Sequence, residues 1–388
     1  MQVLPSLVSG GVETGTIDIA SALIEAGHRA IVVSTGGAMV SQLDTMGALH
    51  ITLPVHSKNP FVIWKNTQAL KQLIREESID LVHARSRAPA WSCYWASKAT
   101  KTPFVTTFHG TYGHQGYLKR WYNSIMLRSD MTIAVSNFIA EHIKSTYAGF
   151  VKQTKHKNKI QVIHRGIDIN KFDSEKLAPE RTAQLHKRWD IPENHLVIML
   201  PGRITRWKGQ TQLIDALAKL QEEKNITCIL VGDNKGKDHF VNELEALILH
   251  HHLQGRVKLV GGCHDMPAAY CLADIVVSAS TEPEAFGRVA CEAQAMQCLV
   301  IATKHGGSLE TISPEQQHLM CEVADSESMA QSLRAALVLC QEANQENRKA
   351  IVSASRHYIE QNFTLDLMCR DTLALYRHVI DNKHQRDT

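Results

Sequence analysis

The feature that most limits what this chain can fold into is a rhythm. Short apolar runs stop abruptly, and each gives way to a longer stretch whose apolar residues recur every three or four positions. "MQVLPSL" precedes "VETGTIDIASALIEAG", which ends at Gly27, and "RAIVVST" follows. "NTQALKQLIREES" leads into "IDLVHAR", then come "TPFVTTFHG" and "MTIAVS", with Ser136 placed to cap the helix "NFIAEHIKSTY". The rhythm resumes at "HLVIMLPGR". A helix is expected over 209–223, a strand at "TCILVGD", a helix over 239–252, strands at "VKLVGG" and "DIVVSAS", a helix over 288–296 and a strand at "LVIAT". Strands separated by helices imply parallel sheets with right-handed crossovers. At 388 residues the chain exceeds one ordinary core. The expectation is two doubly wound α/β domains facing each other across a cleft. The break falls in "VKQTKHKNKIQVIHRGIDINKF", between 1–165 and 166–363, with a hinge near 165–190. Ligands of such sheets bind beyond the carboxyl ends of the strands.

Composition excludes several classes. Hydrophobic residues make up 44% and charged residues 21%, as in a soluble globular protein. A net charge of +3 is too small for a polycation that coats nucleic acid. The charge is uneven, because 101–160 holds nine Lys/Arg (Lys101, Lys119, Arg120, Arg128, Lys144, Lys152, Lys155, Lys157, Lys159) against Asp130 and Glu141. An anionic partner is therefore expected for the N-terminal half. Nine scattered cysteines without a Cys-x-x-Cys pair argue against a zinc site or disulfide framework and favour a reducing cytoplasm. The first basic residue is Arg29, and no apolar run reaches the roughly 18–20 residues that span a bilayer. The expected place is the cytoplasm, in solution or peripheral on the inner membrane.

Two glutamates carry the chemistry. In "TEPEAFGRVACEAQAM", Glu284 stands in the loop after the strand ending near Ser280, and Glu292 about one turn inside the next helix. Between them the amides of Phe286, Gly287 and Arg288 mark a helix start, which binds phosphate oxygens through free N–H groups and the positive dipole end. Carboxylates repel phosphate, so they suit hydroxyls on either side of it. A nucleotide-sugar has that layout. "PGRITRWKGQ" sends Arg203 and Lys208 out of one loop, where both can converge on a diphosphate. No Asp-x-Asp occurs in the chain, so the usual carboxylate pair for a divalent metal is absent and two cations take its place at the leaving group.

The N-terminal half supplies weaker signals. "SGGVETG" is neither a dinucleotide fingerprint nor a Walker A loop, which removes the main support for hydride transfer and nucleotide hydrolysis. Gly10-Gly11 instead permits close backbone approach to a ligand. His109, in "TTFHGTYG", ends a strand and is placed to contact the reacting sugar. Arg85 and Arg87 end another, where they can meet an anionic acceptor. "GYLKRWYNSIMLRS" mixes Lys119, Arg120 and Arg128 with aromatics, which suits either an anionic lipid interface or an ordinary core-facing helix. Trp91 and Trp95 read as core, and "LHHHL" as a polar helix end.

These residues together resemble the family 4, or group 1, glycosyltransferases of the GT-B fold. The resemblance runs through Gly10-Gly11, "FHG" at 108–110, "GR…KG" at 202–209, "VGD" at 231–233, "EPEAFGRVACEAQAM" at 282–296 and "GGSLET" at 306–311. It implies a retaining, metal-independent transfer with no cofactor beyond a nucleotide-diphosphate sugar as co-substrate. Arg203 and Lys208 would hold the diphosphate, Glu284 the donor-sugar hydroxyls and Glu292 the ribose. Phe286 and Gly287 would supply backbone contacts, and 257–264 would flank the base. Domain 1–165 would bind the acceptor, 166–363 the nucleotide-sugar, and a helix at about 364–388 would cross back onto the first domain. The wording "EPEAFGR…EAQAM" is similar to bacterial lipopolysaccharide core mannosyltransferases. That implies a hexose such as mannose and a lipid-linked or oligosaccharide acceptor, with a possible anionic membrane surface and no nucleic acid as partner. The chain departs from the family at "QCLVIA", where Gln297 and Leu299 replace a helix-ending Gly and a Pro. A GT-B epimerase or hydrolase would share the diphosphate cradle but release nucleotide without an acceptor. A non-catalytic sugar-nucleotide-binding protein would bind donor without turnover.

Overall fold

Parallel strands dominate both halves of the chain. The computed structural model describes every residue except Ser9, 113–115, 154–159, 234, 235, 237 and 388. Lys155, Lys157 and Lys159 of the basic stretch, Ser9 of the first glycine loop and Gly113 therefore lie outside the described residues. Contacts divide the chain into one unit of Met1–Gly166 with Leu365–Thr388 and a second of Ile167–Thr364.

The first unit holds β1 (Gln2–Val3), β2 (Ile31–Ser34), β3 (Leu49–Thr52), β4 (Val82–Ala84), β5 (Phe104–Phe108), β6 (Met131–Ala134) and β7 (Ile160–Val162), in the order β3-β2-β1-β4-β5-β6-β7. The second holds β8 (Leu196–Pro201), β9 (Ile226–Val231), β10 (Val257–Gly261), β11 (Ile275–Ser278) and β12 (Leu299–Ala302), ordered β10-β9-β8-β11-β12. Every strand pair is parallel. In each sheet the chain starts near the middle, builds outward on one side and then returns to build on the other. The reversal falls between β1 and β4 in the first sheet and between β8 and β11 in the second. Such switch points open a crevice beyond the strand ends, because neighbouring connections leave to opposite faces.

The apolar runs are continuous because both faces of the second sheet are covered. Along β8, Ile198 and Leu200 point into one core while Val197 and Met199 point into the other. β9 repeats the alternation with Cys228 and Leu230 against Ile229 and Val231. In the first unit the final helix, Leu365–Asp387, sends Met368, Leu375, Tyr376 and Val379 into a core with Ile19, Val105 and Ile133. The hydroxyl of Tyr376 meets Nδ1 of His83 at 2.5 Å, and Nε2 of that imidazole meets Thr107 Oγ1 at 2.7 Å. His83 is fully buried, and burial, aided by the neighbouring Arg85, holds it well below the ordinary imidazole range.

Local rules account for most element ends. Ser136 Oγ accepts from the amide of Ile139, as expected of a cap, and Asp265 accepts from Ala268 at the start of Met266–Leu272. The expected helix over 116–129 divides: Tyr117–Asn123 is α-helical, and Ser124–Leu127 tightens to a 3-10 turn that buries Ile125, Met126 and Leu127. Trp91 is core, but Trp95 is 45% exposed, so the reading of both as core holds for only one. The two rings stand four residues apart on one face of the helix Arg87–Thr100, unrecognised in the sequence, where Trp91 packs against Trp121 and Trp95 lies further out at the edge. β3 was also missed, because the run Leu49–Thr52 lies on a sheet edge, is largely open to solvent and carries no apolar signature.

Gln297 adopts φ 60° just beyond the helix Arg288–Ala295, and Cys298 N–H closes on the carbonyl of Ala293 at 3.0 Å. This is a left-handed helix end built without glycine, which costs about 1–2 kcal/mol for a side chain with a Cβ. Gln297→Gly should therefore raise stability by roughly 0.5–1 kcal/mol, after its extra unfolded-state entropy is subtracted; an unchanged or lower urea midpoint would contradict the strained cap. A second outcome concerns pH. His83 and His109 are both held below the ordinary imidazole pKa by burial, so the unfolded chain binds the extra protons. Their stabilisation is complete above about pH 6.5 and is lost as pH falls below it, by up to about 1.4 kcal/mol per pH unit for each group. Unfolding of the first unit, followed by denaturant titration at pH 7.5 and 5.5, should show the lower midpoint at the acid end.

Candidate active site

The second unit gathers its chemistry at its switch point. β8 ends at Pro201, and the chain runs through Gly202 and Arg203 into a short 3-10 turn, Arg206–Lys208. Gly209 then takes φ 76°, and a Cβ there would lie 2.0 Å from the carbonyl oxygen of Ala279. The loop after β8 thus presses directly on the chain leaving β11. Thr281 N–H donates to the carbonyl of Trp207 at 2.7 Å and ties the two loops. Their joining sets the geometry that matters: Lys208 Nζ donates to Glu284 Oε1 at 2.6 Å, and Ser280 Oγ donates to the same oxygen at 2.5 Å. The two charged side chains are 13% and 12% exposed, shielded but still open to a ligand. Lys208 Nζ also sits 4.4 Å from the centre of the Trp207 ring, which holds the ammonium by cation–π attraction.

A third loop fixes Glu284 from below. Gly307 N–H donates to the Glu284 carbonyl at 2.8 Å, and a Cβ on Gly306 would fall 2.7 Å from that same oxygen. A Cβ on Gly307 would fall 2.6 Å from the Cα of Phe286. The "GGSLET" glycines are therefore required by backbone-to-backbone packing. His305 Nε2 and Thr303 Oγ1 both reach the carbonyl of Ser280, each at 2.8 Å, and hold the strand end in place.

Arg203 leaves the same loop as Lys208 but is exposed, and its side chain makes no hydrogen bond or ion pair among the described residues. Phe286 is 2% exposed and packs edge-on against Phe363 at 5.5 Å, so its ring is core and only its backbone is left for the contact expected of it. Gly287, at φ 94°, begins the helix Arg288–Ala295, and among the described residues no side chain caps it. Its first-turn amides are the anion-binding feature expected of this stretch. Glu292 is already engaged: Arg288 Nη2 donates to Oε1 at 3.0 Å and the Tyr270 hydroxyl to Oε2 at 2.9 Å. Tyr270 is buried beside that carboxylate, and burial with the adjacent charge pushes its phenol well above the usual range, so it stays a donor. Sequence reading assigned Glu292 and Arg288 separately to a ligand; here they grip each other, because four residues along a helix puts them on one face.

Gly10, Gly11 and His109 lie in the first unit. Gly10, at φ 129°, precedes the helix Gly11–Glu25, and the carbonyl of Gly11 accepts from the Arg165 guanidinium. Arg165 Nη1 lies 3.4 Å from Nδ1 of His109. His109 is held well below the ordinary imidazole pKa by burial and by Arg85 and Arg165, so it is neutral at pH 7, and its Nε2 is buried with no hydrogen-bond partner among the described residues. Arg85 is not at the surface as expected. It is 5% exposed and donates to Gln2 Oε1 at 3.3 Å. Arg87 stacks over Tyr112 at 4.1 Å and donates to Asn123 Oδ1 at 3.1 Å.

Ser280, Tyr270, His305 and Arg165 went unassigned in the sequence. The only nearby signal was "GGSLET" at 306–311, which carried the family resemblance and named none of these four. Among the described residues no three His, Cys, Asp or Glu side chains come close enough to share a metal ion, and all nine cysteines are free.

Comparison with known proteins bears on the family and the fold. The family Glycosyltransferase Family 4 matches residues 9–171, and Glycosyl transferases group 1 matches residues 182–357. A crystal structure of a glycosyltransferase from Rickettsia africae ESF-5 is 40% identical, covers 98% of each chain and superposes with a TM-score of 0.89. The Anabaena protein Alr3699/HepE, solved in complex with UDP-glucose, is 25% identical over 96% of this chain and 99% of its own, with a TM-score of 0.77. The phosphatidylinositol N-acetylglucosaminyltransferase GPI3 subunit of Saccharomyces cerevisiae (strain YJM789) is 25% identical over 348 residues, 84% of this chain and 72% of its own. With both halves matched in order and two parallel sheets in place, the chain belongs to the family 4, group 1 glycosyltransferases and is an enzyme of the two-domain GT-B fold.

Proposed function

We propose that this enzyme moves a hexose from a nucleotide-diphosphate sugar to a lipid-linked saccharide, with retention at the anomeric carbon and without a metal, in the synthesis of lipopolysaccharide or another cell-envelope glycan. One observation carries the reading: Lys208, Glu284 and Ser280 form a shielded cluster at the switch point, with Arg203 open on the same loop. As the bond from the sugar to the diphosphate breaks, negative charge builds on the departing phosphate oxygens. Arg203 offers a planar fork, Lys208 a point charge, and the helix start at Gly287 a set of amides. Preorganised donors of this kind need no rearrangement as the charge develops.

Glu284 has two tasks in this scheme. Its Oε1 keeps the Lys208 ammonium extended toward the crevice, and its Oε2 accepts from sugar hydroxyls. Glu292, steadied by Tyr270 and Arg288, accepts from ribose hydroxyls with its remaining lone pairs. His109, neutral and with Nε2 lacking a partner, is suited to hydrogen-bond a sugar hydroxyl rather than to carry charge. The UDP-glucose complex of the Anabaena protein makes a uridine-diphosphate hexose the first donor to test. Retention, mannose and the envelope acceptor are supported by the motif resemblance around 282–296.

Release of nucleoside diphosphate from a panel of nucleotide-sugars should depend on added membrane extract, which supplies the lipid-linked acceptor; equal release without acceptor would mark a hydrolase or epimerase instead. With the productive donor, Glu284→Ala should lower kcat by roughly 10²-fold or more while the unfolding transition stays in place, and Arg203→Ala and Lys208→Ala should each cost a similar factor. Near-normal turnover in Glu284→Ala would remove the role given to that carboxylate. Chelation with EDTA should leave the rate unchanged; loss on chelation with recovery on adding Mg²⁺ would overturn the cation-pair scheme.

A further inference from the structure

The first unit carries a cavity whose lining includes none of the residues assigned above to the transfer reaction. It is a groove of about 630 Å³ between the helices Pro60–Glu76, Arg87–Thr100 and Tyr117–Asn123. Four of the chain's six tryptophans line it: Trp64, Trp91, Trp95 and Trp121. On the first helix Pro60, Trp64, Thr67 and Lys71 recur every three or four residues, and on the second Trp91, Trp95 and Ala99 recur every four, so each helix gives one face to the groove. Trp91 forms the floor against Trp121, with ring centres 5.0 Å apart. Trp64 at 56% exposed and Trp95 at 45% form the lips. Phe61, Tyr117 and Leu118 extend the exposed apolar surface. A soluble protein seldom leaves so many large rings together in water without a use for them.

The charge around the groove names its occupant. Residues 45–75 and 81–129 contain no Asp or Glu and eleven Lys/Arg. Lys58 and Lys71 line the groove, Lys65 sits over Phe61 at 4.7 Å, and Lys98 sits over Trp95 at 5.6 Å. None of these four lysines forms an ion pair among the described residues. A protein partner would meet this surface with scattered acidic side chains, and a sugar would ask for carboxylates; the lining has none, and its uncharged polar chains are Thr67, Gln68 and Tyr122 beside four indoles. An apolar slot with indoles at its lips and unneutralised cations around it matches acyl chains beneath a layer of phosphates.

We propose that this groove docks the enzyme on a bilayer of anionic phospholipid, with one acyl chain seated between Trp64 and Trp95 and the lysines facing the phosphates. The inference takes from the proposed function only that the acceptor is lipid-borne. Because vesicle binding is measured without donor or acceptor, it stands or fails separately.

The test uses the full chain with vesicles of phosphatidylglycerol and of phosphatidylcholine, some carrying brominated acyl chains that quench indole fluorescence. The intact protein should sediment with phosphatidylglycerol vesicles, bind phosphatidylcholine far less, and lose tryptophan emission to the brominated chains. Trp64→Ser with Trp95→Ser, both at exposed positions, should lose most of that quenching. Lys58→Glu with Lys65→Glu should weaken binding by about tenfold or more. Equal binding to both lipids, absence of quenching in the intact protein, or unchanged quenching in the tryptophan variant would each overturn the proposal. So would a concentration-dependent dimer that shields the tryptophans and persists with vesicles present.

Discussion

A parallel sheet covered on both faces leaves its strands no side chain to spare. Along β8 and β9 the apolar residues Val197 to Leu200 and Cys228 to Val231 alternate between the two cores, which leaves reactive groups the strand ends to occupy. The carboxyl ends at the switch point are where the connections diverge to opposite faces of the sheet. Everything proposed for the second unit follows from that restriction. Arg203 and Lys208 come from the loop after β8, and Ser280 and Glu284 from the chain after β11, because those strands are neighbours on either side of the reversal.

Neighbouring strands alone do not bring Lys208 within 2.6 Å of Glu284. Glycines at 209, 306 and 307 do, by letting backbones touch where any Cβ would collide. Three loops close on one another at a distance only glycine permits, and the charged side chains ride on that contact. The pair is partly shielded from water, so its attraction is stronger than on the open surface, but each charge also gives up hydration. A diphosphate arriving there would supply Lys208 with a second anionic partner and Arg203 with its first.

The first unit treats its charges differently. Arg85 and Arg165 crowd the first turns of Gly11–Glu25, and a Cβ at Gly15 would lie within 3.0 Å of both guanidinium groups. Burial, aided by Arg85 beside both rings and by Arg165 beside His109, keeps His109 and His83 neutral. On the same unit the outward face of three helices is rich in indoles and lysines and contains no carboxylate between 81 and 129. One unit therefore has cations turned inward that add to burial in keeping His83 and His109 neutral, and others turned outward that form no ion pair among the described residues.

Much of this was legible in order along the chain. The strand and helix rhythm, the cap at Ser136, the carboxylates Glu284 and Glu292, the cations Arg203 and Lys208 and the family resemblance all depend on residues within a few positions of each other, and local periodicity and loop chemistry report on such things directly. Edge strand β3 and the helix Arg87–Thr100 escaped because the first has no buried face to mark it and the second buries mostly small residues such as Ala90, Ser92, Ala96 and Ser97, which leave its apolar period ambiguous. Trp95 was misplaced because an indole is equally apolar in a core and on a lip, and only the packing of its helix separates the two. What the sequence determined by itself was the class of fold and the kinds of charge at the strand ends. Which carboxylate meets which cation, that Tyr270 and Ser280 complete the two acid sites, and that four tryptophans share one groove were decided by the tertiary structure, because those partners lie between 4 and 76 positions apart and meet only where close packing and glycine let separate loops and helices touch.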